Sequence, residues 1–219
     1  MSISENIRAI KTELSDKVTL VAVSKTKSNE DILEAYNTGH RIFGENKVQE
    51  MTQKWETLPK DIQWHMIGHV QRNKVKYMAP FVSLIHGVDS LRLLVEIDKQ
   101  AQKCDRTVPC LLQIHIAEEE TKFGLDSQEL EALLVAPEFK ALKNVAITGL
   151  MGMATFTDNE AQVRKEFKNL KAIFDATKKQ LPALEVLSMG MSGDYQIAIE
   201  EGSNMVRIGS SIFGSRNYN

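Results

Sequence analysis

Two small-residue turns near the C-terminus have the composition of a phosphate-binding site. The first lies in Leu187–Asp194 and the second in Met205–Gly214, and in each an apolar run opens into glycine and serine. Such turns present backbone N–H groups and hydroxyls, which are donors that bind phosphate in proteins. Near the N-terminus, the apolar run Val21–Val23 leads through Ser24 to Lys25. An amine that faces a phosphate site predicts a ligand with both an aldehyde and a phosphate group.

Each of these residues also has an ordinary structural interpretation. A lysine at the end of a strand is usually solvated, although apolar neighbours can make such an amine nucleophilic. Arg207 stands within an apolar run, where a charge needs a partner, so a structural ion pair is an alternative to a ligand contact. Ser192 and Ser210 are also consistent with simple turn or capping residues. The chemical interpretation therefore depends on whether the fold brings these residues together.

The chain alternates between apolar strand-like runs and amphipathic helical segments. We predict a lead-in helix over residues 3–14 and eight strands, with helices between them, at residues 19–24, 41–43, 62–68, 81–85, 109–116, 144–151, 185–189 and 205–208. This alternation is typical of a parallel sheet covered on both faces. Eight such units in a chain of this length predict an α/β fold, a small (β/α)8 TIM barrel. A doubly wound open sheet is the alternative, disfavoured because no GxGxxG fingerprint follows strand one.

A barrel would join the chemical motifs into one site. The C-terminal ends of all strands open on the same face, and a phosphate site often lies in the loops after strands seven and eight. The two glycine–serine turns follow the strands that we number seven and eight. Strand one closes the barrel beside strand eight, so Lys25 is predicted to lie next to the phosphate site.

Composition limits the function classes. The 219-residue chain is 42% hydrophobic and has no low-complexity linker, so we predict one domain over residues 1–219. A net charge of −2 gives no basic surface for nucleic acid, and no apolar run approaches the roughly 18–20 residues of a membrane span. Cys104 and Cys110 lack CxxC spacing and the N-terminus lacks a signal-peptide pattern, which predicts reduced thiols in a cytoplasmic protein. The histidines are scattered, so we expect no metal site.

Several motifs, in order along the chain, are shared with one known family. They are Ala22–Lys27 (AVSKTK), Phe43–Glu50 (FGENKVQE), Trp64–Lys74 (WHMIGHVQRNK), Gly149–Met151 (GLM), Leu187–Asp194 (LSMGMSGD) and Arg207–Gly214 (RIGSSIFG). On these motifs the sequence resembles the pyridoxal 5′-phosphate homeostasis proteins, also called the YggS family. The resemblance implies a monomeric (β/α)8 barrel, similar to the N-terminal domain of alanine racemase.

The resemblance also implies a role for particular residues. Lys25 would carry pyridoxal 5′-phosphate as an internal aldimine, Arg207 would face the pyridine nitrogen, and Asn46 would lie near the ring. The phosphate would be held by one side chain and three backbone N–H groups, namely Ser192 and the N–H groups of Gly193, Gly209 and Ser210.

The implied function is that of a cofactor carrier or buffer rather than an enzyme. An arginine at the pyridine nitrogen disfavours its protonation and makes the cofactor a poor electron sink. The chain also ends at Asn219 without a second domain to supply another acid–base group. We therefore predict that the partners are pyridoxal phosphate, related B6 vitamers and the apo-enzymes that use the cofactor. Two alternatives stay open: a pyridoxal-phosphate-dependent amino-acid racemase, and a phosphosugar barrel enzyme with Lys25 as a Schiff-base lysine.

Overall fold

Eight parallel strands form one closed barrel in chain order. The computed structural model describes residues 2–119 and 122–214, so part of the charged loop after strand five and the C-terminal end of the predicted domain lie outside the described residues. The strands are β1 (Thr19–Val23), β2 (Ile42–Glu45), β3 (Gln63–Met66), β4 (Leu84–Val88), β5 (Val108–Gln113), β6 (Val145–Met151), β7 (Val186–Ser188) and β8 (Met205–Ile208). The barrel confirms the predicted fold class and excludes the open doubly wound sheet.

Helices cover the outside of the barrel. They are α1 (Ile3–Glu13), α2 (Asn29–Asn37), α3 (Val48–Thr57), α4 (Val75–Met78), α5 (Leu91–Gln102), α6 (Ser127–Val135), α7 (Pro137–Lys140), α8 (Glu160–Lys178), α9 (Tyr195–Glu200) and α10 (Ser210–Phe213). Helix α2 begins after Ser28 and α6 after Asp126, and both N-caps form a reciprocal capping box. In the part of the chain that the structure describes, no helix combines the length and apolar character needed to cross a membrane.

The position of β4 differs from the sequence prediction by three residues. The predicted strand 81–85 starts too early because Phe81 and Val82 still donate their N–H groups to the Met78 carbonyl at the end of α4. Phe81 then stacks on Trp55 of α3, with ring centroids 4.5 Å apart. The strand proper begins only at Leu84 and includes a histidine and a glycine that resemble a turn in the sequence. Strand β5 also ends three residues before its predicted end at residue 116.

Alternating residues of each strand build two different environments. On β1, Leu20 and Ala22 pack toward the surrounding helices, whereas Val21 points into the barrel. The barrel interior has an apolar layer made by five buried side chains, those of Val21, Leu84, Leu111, Met151 and Met205. Two residues further along their strands stand the buried polar side chains His86, Gln113 and Arg207. Because side chains repeat with a period of two, these polar groups lie on the same interior face, nearer the C-terminal rim.

Pairing of β1 with β8 closes the barrel. Four consecutive residue pairs are in register, from Thr19 opposite Met205 to Ala22 opposite Ile208. The chain continues from β1 to Lys25 and from β8 to Gly209, so both residues leave the barrel at the same rim. The predicted proximity of the two ends of the chain is thus a direct result of strand closure.

Gly149 provides a test of the packing between neighbouring strands. A Cβ at this position would lie 1.9 Å from the carbonyl oxygen of Val186 on the adjacent strand, and a backbone oxygen cannot rotate away. We expect Gly149→Ala to lower the free energy of unfolding by about 2 kcal/mol or more, measured by urea denaturation. Gly193→Ala is the matched control for stability, because a Cβ there would meet no atom within 4 Å. Equal stability of the two variants would contradict this view of the β6–β7 contact.

Candidate functional site

A cavity of about 760 Å³ opens at the C-terminal rim of the barrel. Its walls come from the loops that follow β1, β2, β3, β5, β6, β7 and β8, together with the ends of some of those strands. All of the residues proposed from the sequence line this one cavity, namely Lys25, Asn46, Ser192, Gly193, Arg207, Gly209 and Ser210. The fold therefore brings together groups from the two ends of the chain that are up to 185 positions apart in sequence (210 − 25).

Lys25 occupies a constrained position just beyond β1. Its side chain is half-buried and lines the cavity. The next residue, Thr26, has a φ of 64°, a left-handed conformation that is uncommon for a residue other than glycine. Surrounding contacts must hold such a conformation in place. The direction in which Lys25 leaves the strand is therefore set by the local backbone.

Asn46 enters the cavity from the end of β2. Its backbone packs closely against Gly68, where a Cβ would lie 2.5 Å from the Asn46 carbonyl oxygen. A side chain at residue 68 would therefore displace Asn46 from the rim. Close packing against Asn46, a predicted site residue, therefore explains why a glycine stands at position 68.

The two glycine–serine turns contact one another directly. The hydroxyl oxygen of Ser192 accepts a hydrogen bond from the N–H of Gly209 at 3.1 Å and a longer one from the N–H of Ser211 at 3.5 Å. Asp194 fixes the first turn by accepting from the N–H of Met191 at 2.5 Å. Burial raises the pKa of Asp194, and its hydrogen bond with Met191 acts in the opposite direction. The hydroxyl and backbone donors predicted for phosphate are therefore clustered in a small, hydrogen-bonded region.

Arg207 is a buried cation at the inner wall of the cavity. The residue is only 3% exposed, and its guanidinium donates to the carbonyl and hydroxyl oxygens of Ser188 and to the carbonyl of Gly152 at 2.6–3.1 Å. Burial lowers the pKa of Arg207 to about 10, against the attraction of Asp194, so the guanidinium stays charged at neutral pH. Among the described residues no carboxylate lies within ion-pair distance of it. The structure thus does not support the structural ion pair considered as an alternative.

A chain of polar side chains runs from Arg207 across the barrel interior. The hydroxyl of Ser188 lies 3.1 Å from Nδ1 of His86, and Nε2 of His86 lies 3.0 Å from Nδ1 of His65. Since Arg207 donates to the Ser188 oxygen, the hydroxyl proton can point to His86, which can then donate to His65. Burial lowers the pKa of His65 to about 3 and that of His86 well below its usual range. Both imidazoles are therefore neutral, and together they orient Ser188 toward Arg207.

Several cavity residues are not found by reasoning from the sequence. Lys27 lines the cavity and donates to the carbonyl of Phe213 at 2.8 Å. Gln113 reaches it from β5, and Phe123 reaches it while stacking on His69 with ring centroids 4.4 Å apart. Residues 153–158, after strand six, also line the cavity, although the sequence gives no regular pattern there. Of Lys27, Gln113, Phe123 and residues 153–158, Lys27 is the one that stands in a matched motif, two positions after Lys25.

Comparison with known proteins identifies the family. Residues 1–217 match the family described as alanine racemase, N-terminal domain. The pyridoxal phosphate homeostasis protein of Aquifex aeolicus is 42% identical over 202 residues, which cover 91% of this chain and 87% of the relative. The chain belongs to the pyridoxal phosphate homeostasis protein family. The homeostasis protein of Synechocystis is 39% identical over 206 residues, which cover 93% of this chain and 94% of the relative.

Solved structures agree with this family and with the barrel. PipY of Synechococcus elongatus, solved without pyridoxal phosphate, has a TM-score of 0.92 at 34% identity, covering 97% of this chain and 100% of PipY. PipY with pyridoxal phosphate bound has a TM-score of 0.89. An alanine racemase of Clostridium difficile has a TM-score of 0.82 at 13% identity, with 58% of its chain covered, and shows the shared fold alone. The predicted resemblance to the homeostasis proteins is confirmed.

The neutral histidines predict a loss of stability in acid. The unfolded chain protonates His65 below about pH 6.5, whereas the folded protein excludes that proton until about pH 3. Stability therefore falls as the pH drops through this window. We expect His65→Gln to reduce the slope of unfolding free energy between pH 6 and pH 5 by about 1 kcal/mol per pH unit, measured by denaturant titration at each pH. His69→Gln is the control for replacing a histidine as such, because that imidazole is 43% exposed with its Nδ1 3.0 Å from Asp89, and its replacement leaves the buried pair of His65 and His86 intact. If the slope for His65→Gln equals that of wild type, His65 is not a source of the loss of stability in acid.

Proposed function

We propose that this chain binds pyridoxal 5′-phosphate reversibly and acts as a carrier or buffer in the homeostasis of that cofactor. The observation that carries the proposal is the shared cavity, where Lys25 lies with the turns of Ser192 and Gly209. Family membership supports it. Further support comes from the PipY structure with pyridoxal phosphate bound, because PipY is 34% identical to this chain.

The groups that line the cavity fit this cofactor. The positive charges of Lys25, Lys27 and Arg207 make the cavity suited to an anionic ligand, and the Ser192 hydroxyl is a donor for its phosphate. Gly193 faces open space, since a Cβ there would meet no atom within 4 Å. Its backbone can therefore be approached closely by a ligand group.

Each lining residue then has a distinct role. When bound, the cofactor supplies an aldehyde that reacts with primary amines, a phosphate group and a pyridine ring. Lys25 would supply the primary amine for the aldehyde, Asn46 would lie beside the ring, and Arg207 would face the pyridine nitrogen. The phosphate would be held by the Ser192 hydroxyl and by the N–H groups of Gly193, Gly209 and Ser210. The Gly209 N–H donates to the Ser192 oxygen in this structure and would redirect that hydrogen bond to the phosphate.

Arg207 also supports a role without sustained catalysis. Its guanidinium is charged, buried and fixed by hydrogen bonds to Ser188 and Gly152. A fixed positive charge opposes protonation of a pyridine nitrogen placed next to it, which weakens the ring as an electron sink. A carboxylate would have the opposite effect. The cavity is therefore suited to holding and releasing the cofactor rather than to carbanion chemistry.

We further propose a cytoplasmic monomer that passes the cofactor to apo-enzymes. Cys104 and Cys110 are free thiols, which supports a reducing compartment. Two aromatic side chains at the rim of the cavity, Phe123 and Phe156, are 55% and 92% exposed. Exposed aromatic side chains next to a binding site are suited to contact with another protein.

The proposal is tested by the visible spectrum of the purified protein. Incubation with pyridoxal phosphate should produce a lysine-bound absorbance band that borohydride reduction fixes onto Lys25. Lys25→Ala should abolish the band without loss of folding, because this half-buried side chain lies at the rim and outside the apolar core. Lys171→Ala is the matched control, since this lysine is on α8 and pairs only with Asp175 among the ion pairs of the described residues. A wild-type protein that stays colourless, or a band retained in Lys25→Ala, would refute the proposal.

Amino-acid turnover separates the carrier from a racemase. We expect the loaded wild-type protein to produce no sustained conversion of L-alanine to D-alanine, because Arg207 disfavours the electron-sink state of the ring. The measurement is chiral chromatography of the amino acid after many equivalents of substrate have been supplied. Steady accumulation of D-alanine, proportional to protein concentration, would show that the racemase alternative is correct.

A further inference from the structure

A buried cluster of charges lies behind Lys25, on the side of β1 and β2 that faces α3. Its members are Glu45 at the end of β2 and Glu50 and Lys54 on α3, here called the α3 charge cluster. Nζ of Lys54 contacts Glu45 at 2.8 Å and Glu50 at 2.7 Å. The cluster does not line the cavity, so its residues do not contact a ligand there.

The cluster holds the backbone on both sides of Lys25. Nζ of Lys54 donates to the carbonyl of Ser24 at 2.8 Å, and that carbonyl belongs to the peptide group that precedes Lys25. A carboxylate oxygen of Glu50 accepts from the N–H of Thr26 at 2.6 Å, and that N–H belongs to the peptide group that follows Lys25. Both peptide planes that flank the Lys25 Cα are therefore anchored to one helix.

A third contact completes the attachment. The hydroxyl of Ser24 donates to Glu45 at 2.6 Å, and the same oxygen of Glu45 receives the bond from Lys54. Thr26 adopts its left-handed φ of 64° within this frame. A conformation of this kind persists only when its surroundings impose it, and the bond from Thr26 to Glu50 is a contact that can do so.

The cluster is a costly way to stabilise a fold. The side chains of Lys54 and Glu45 are 7% and 0% exposed, and one oxygen of Glu45 has no hydrogen-bond partner among the described residues. Buried ion pairs of this kind are often no more stabilising than apolar residues of the same size. Here these ion pairs contribute orientation, because charge-assisted hydrogen bonds fix the geometry of the groups that they join.

We infer that the α3 charge cluster positions Lys25 for covalent attachment of the aldehyde ligand. This inference rests on the proposed function. In that reaction the neutral Nζ adds to the aldehyde carbon, a C=N bond replaces the C=O bond, and the oxygen leaves as water. The amine must approach the carbon within a narrow range of directions, so the orientation of the Lys25 backbone affects bond formation. Glu45, Glu50 and Lys54 are positioning residues, since they act through Lys25.

A pair of ligands distinguishes this role from a general structural one. Pyridoxal 5′-phosphate has the aldehyde, whereas pyridoxine 5′-phosphate has an alcohol at that carbon and cannot bond to the lysine. Both ligands carry the phosphate and the ring. Loss of Lys25 positioning should weaken only the aldehyde ligand, whereas a disturbed cavity should weaken both.

Glu50 is the suitable position for substitution. Its side chain is 24% exposed, so truncating it leaves no closed cavity in the core. We expect Glu50→Ala to raise the dissociation constant of pyridoxal phosphate about tenfold, the effect of one lost charge-assisted hydrogen bond. Binding of pyridoxine phosphate should stay within about twofold of wild type. Glu50→Gln should restore most of the affinity, because its amide oxygen can accept from both Thr26 and Lys54. Glu56→Ala is the matched control, an exposed carboxylate on the same helix.

The outcomes separate this inference from the proposed function. The binding constants are measured by calorimetry for both ligands, and circular dichroism confirms that each variant is folded. If wild type binds pyridoxal phosphate and Glu50→Ala binds it equally well, the positioning role is wrong while the proposed function stands. An equal loss for both ligands would also overturn it. A wild-type protein that does not bind pyridoxal phosphate would overturn the proposed function and this inference together.

Discussion

Parallel hydrogen bonding between β1 and β8 brings the two ends of the chain together at the cavity. Without this pairing, Lys25 and Arg207 would belong to opposite edges of an open sheet. The register from Thr19–Met205 to Ala22–Ile208 sets how far each strand extends toward the rim. Lys25 and the Gly209 turn therefore emerge side by side, and the remaining loops only have to complete the wall. Closure of the sheet is thus the condition for a site built from both ends of the chain.

Much of this arrangement could be predicted from the sequence because the signals are local. Lys25, Ser192 and Arg207 each interrupt an apolar strand pattern or directly follow one, so their positions at the rim follow from the strand count. The start of β4 could not be predicted in the same way. His86 and Gly87 resemble turn residues, yet both are buried in the barrel. Burial of His86 is tolerated because its ring nitrogens contact Ser188 and His65. The burial of Lys54 is not predictable from the sequence either, because a lysine on an amphipathic helix is usually solvated.

The interior of the barrel combines two layers with different purposes. The apolar layer at Val21, Leu84 and Leu111 contributes packing, whereas the polar chain from His65 to Arg207 fixes a cation beneath the cavity. Burying these polar groups costs free energy unless each one is hydrogen-bonded. Neutral imidazoles meet that condition without adding charge, so Arg207 is the cation that the interior presents to the cavity wall. Ser188 and His86, which do not line the cavity, thereby help to hold the arginine that does.

The apolar layer also limits the routes by which a ligand can travel. Its side chains fill the barrel below the polar chain, as is usual for barrels of this type, which are packed rather than hollow. Among the residues that the structure describes, the cavity at Lys25 therefore opens toward the C-terminal rim, and a ligand bound there would have to enter and leave on that side. Handover to a second protein would have to occur at that rim, with both binding sites facing each other, or else by release into water. A free ligand and a recipient protein would therefore compete for the same rim of the barrel.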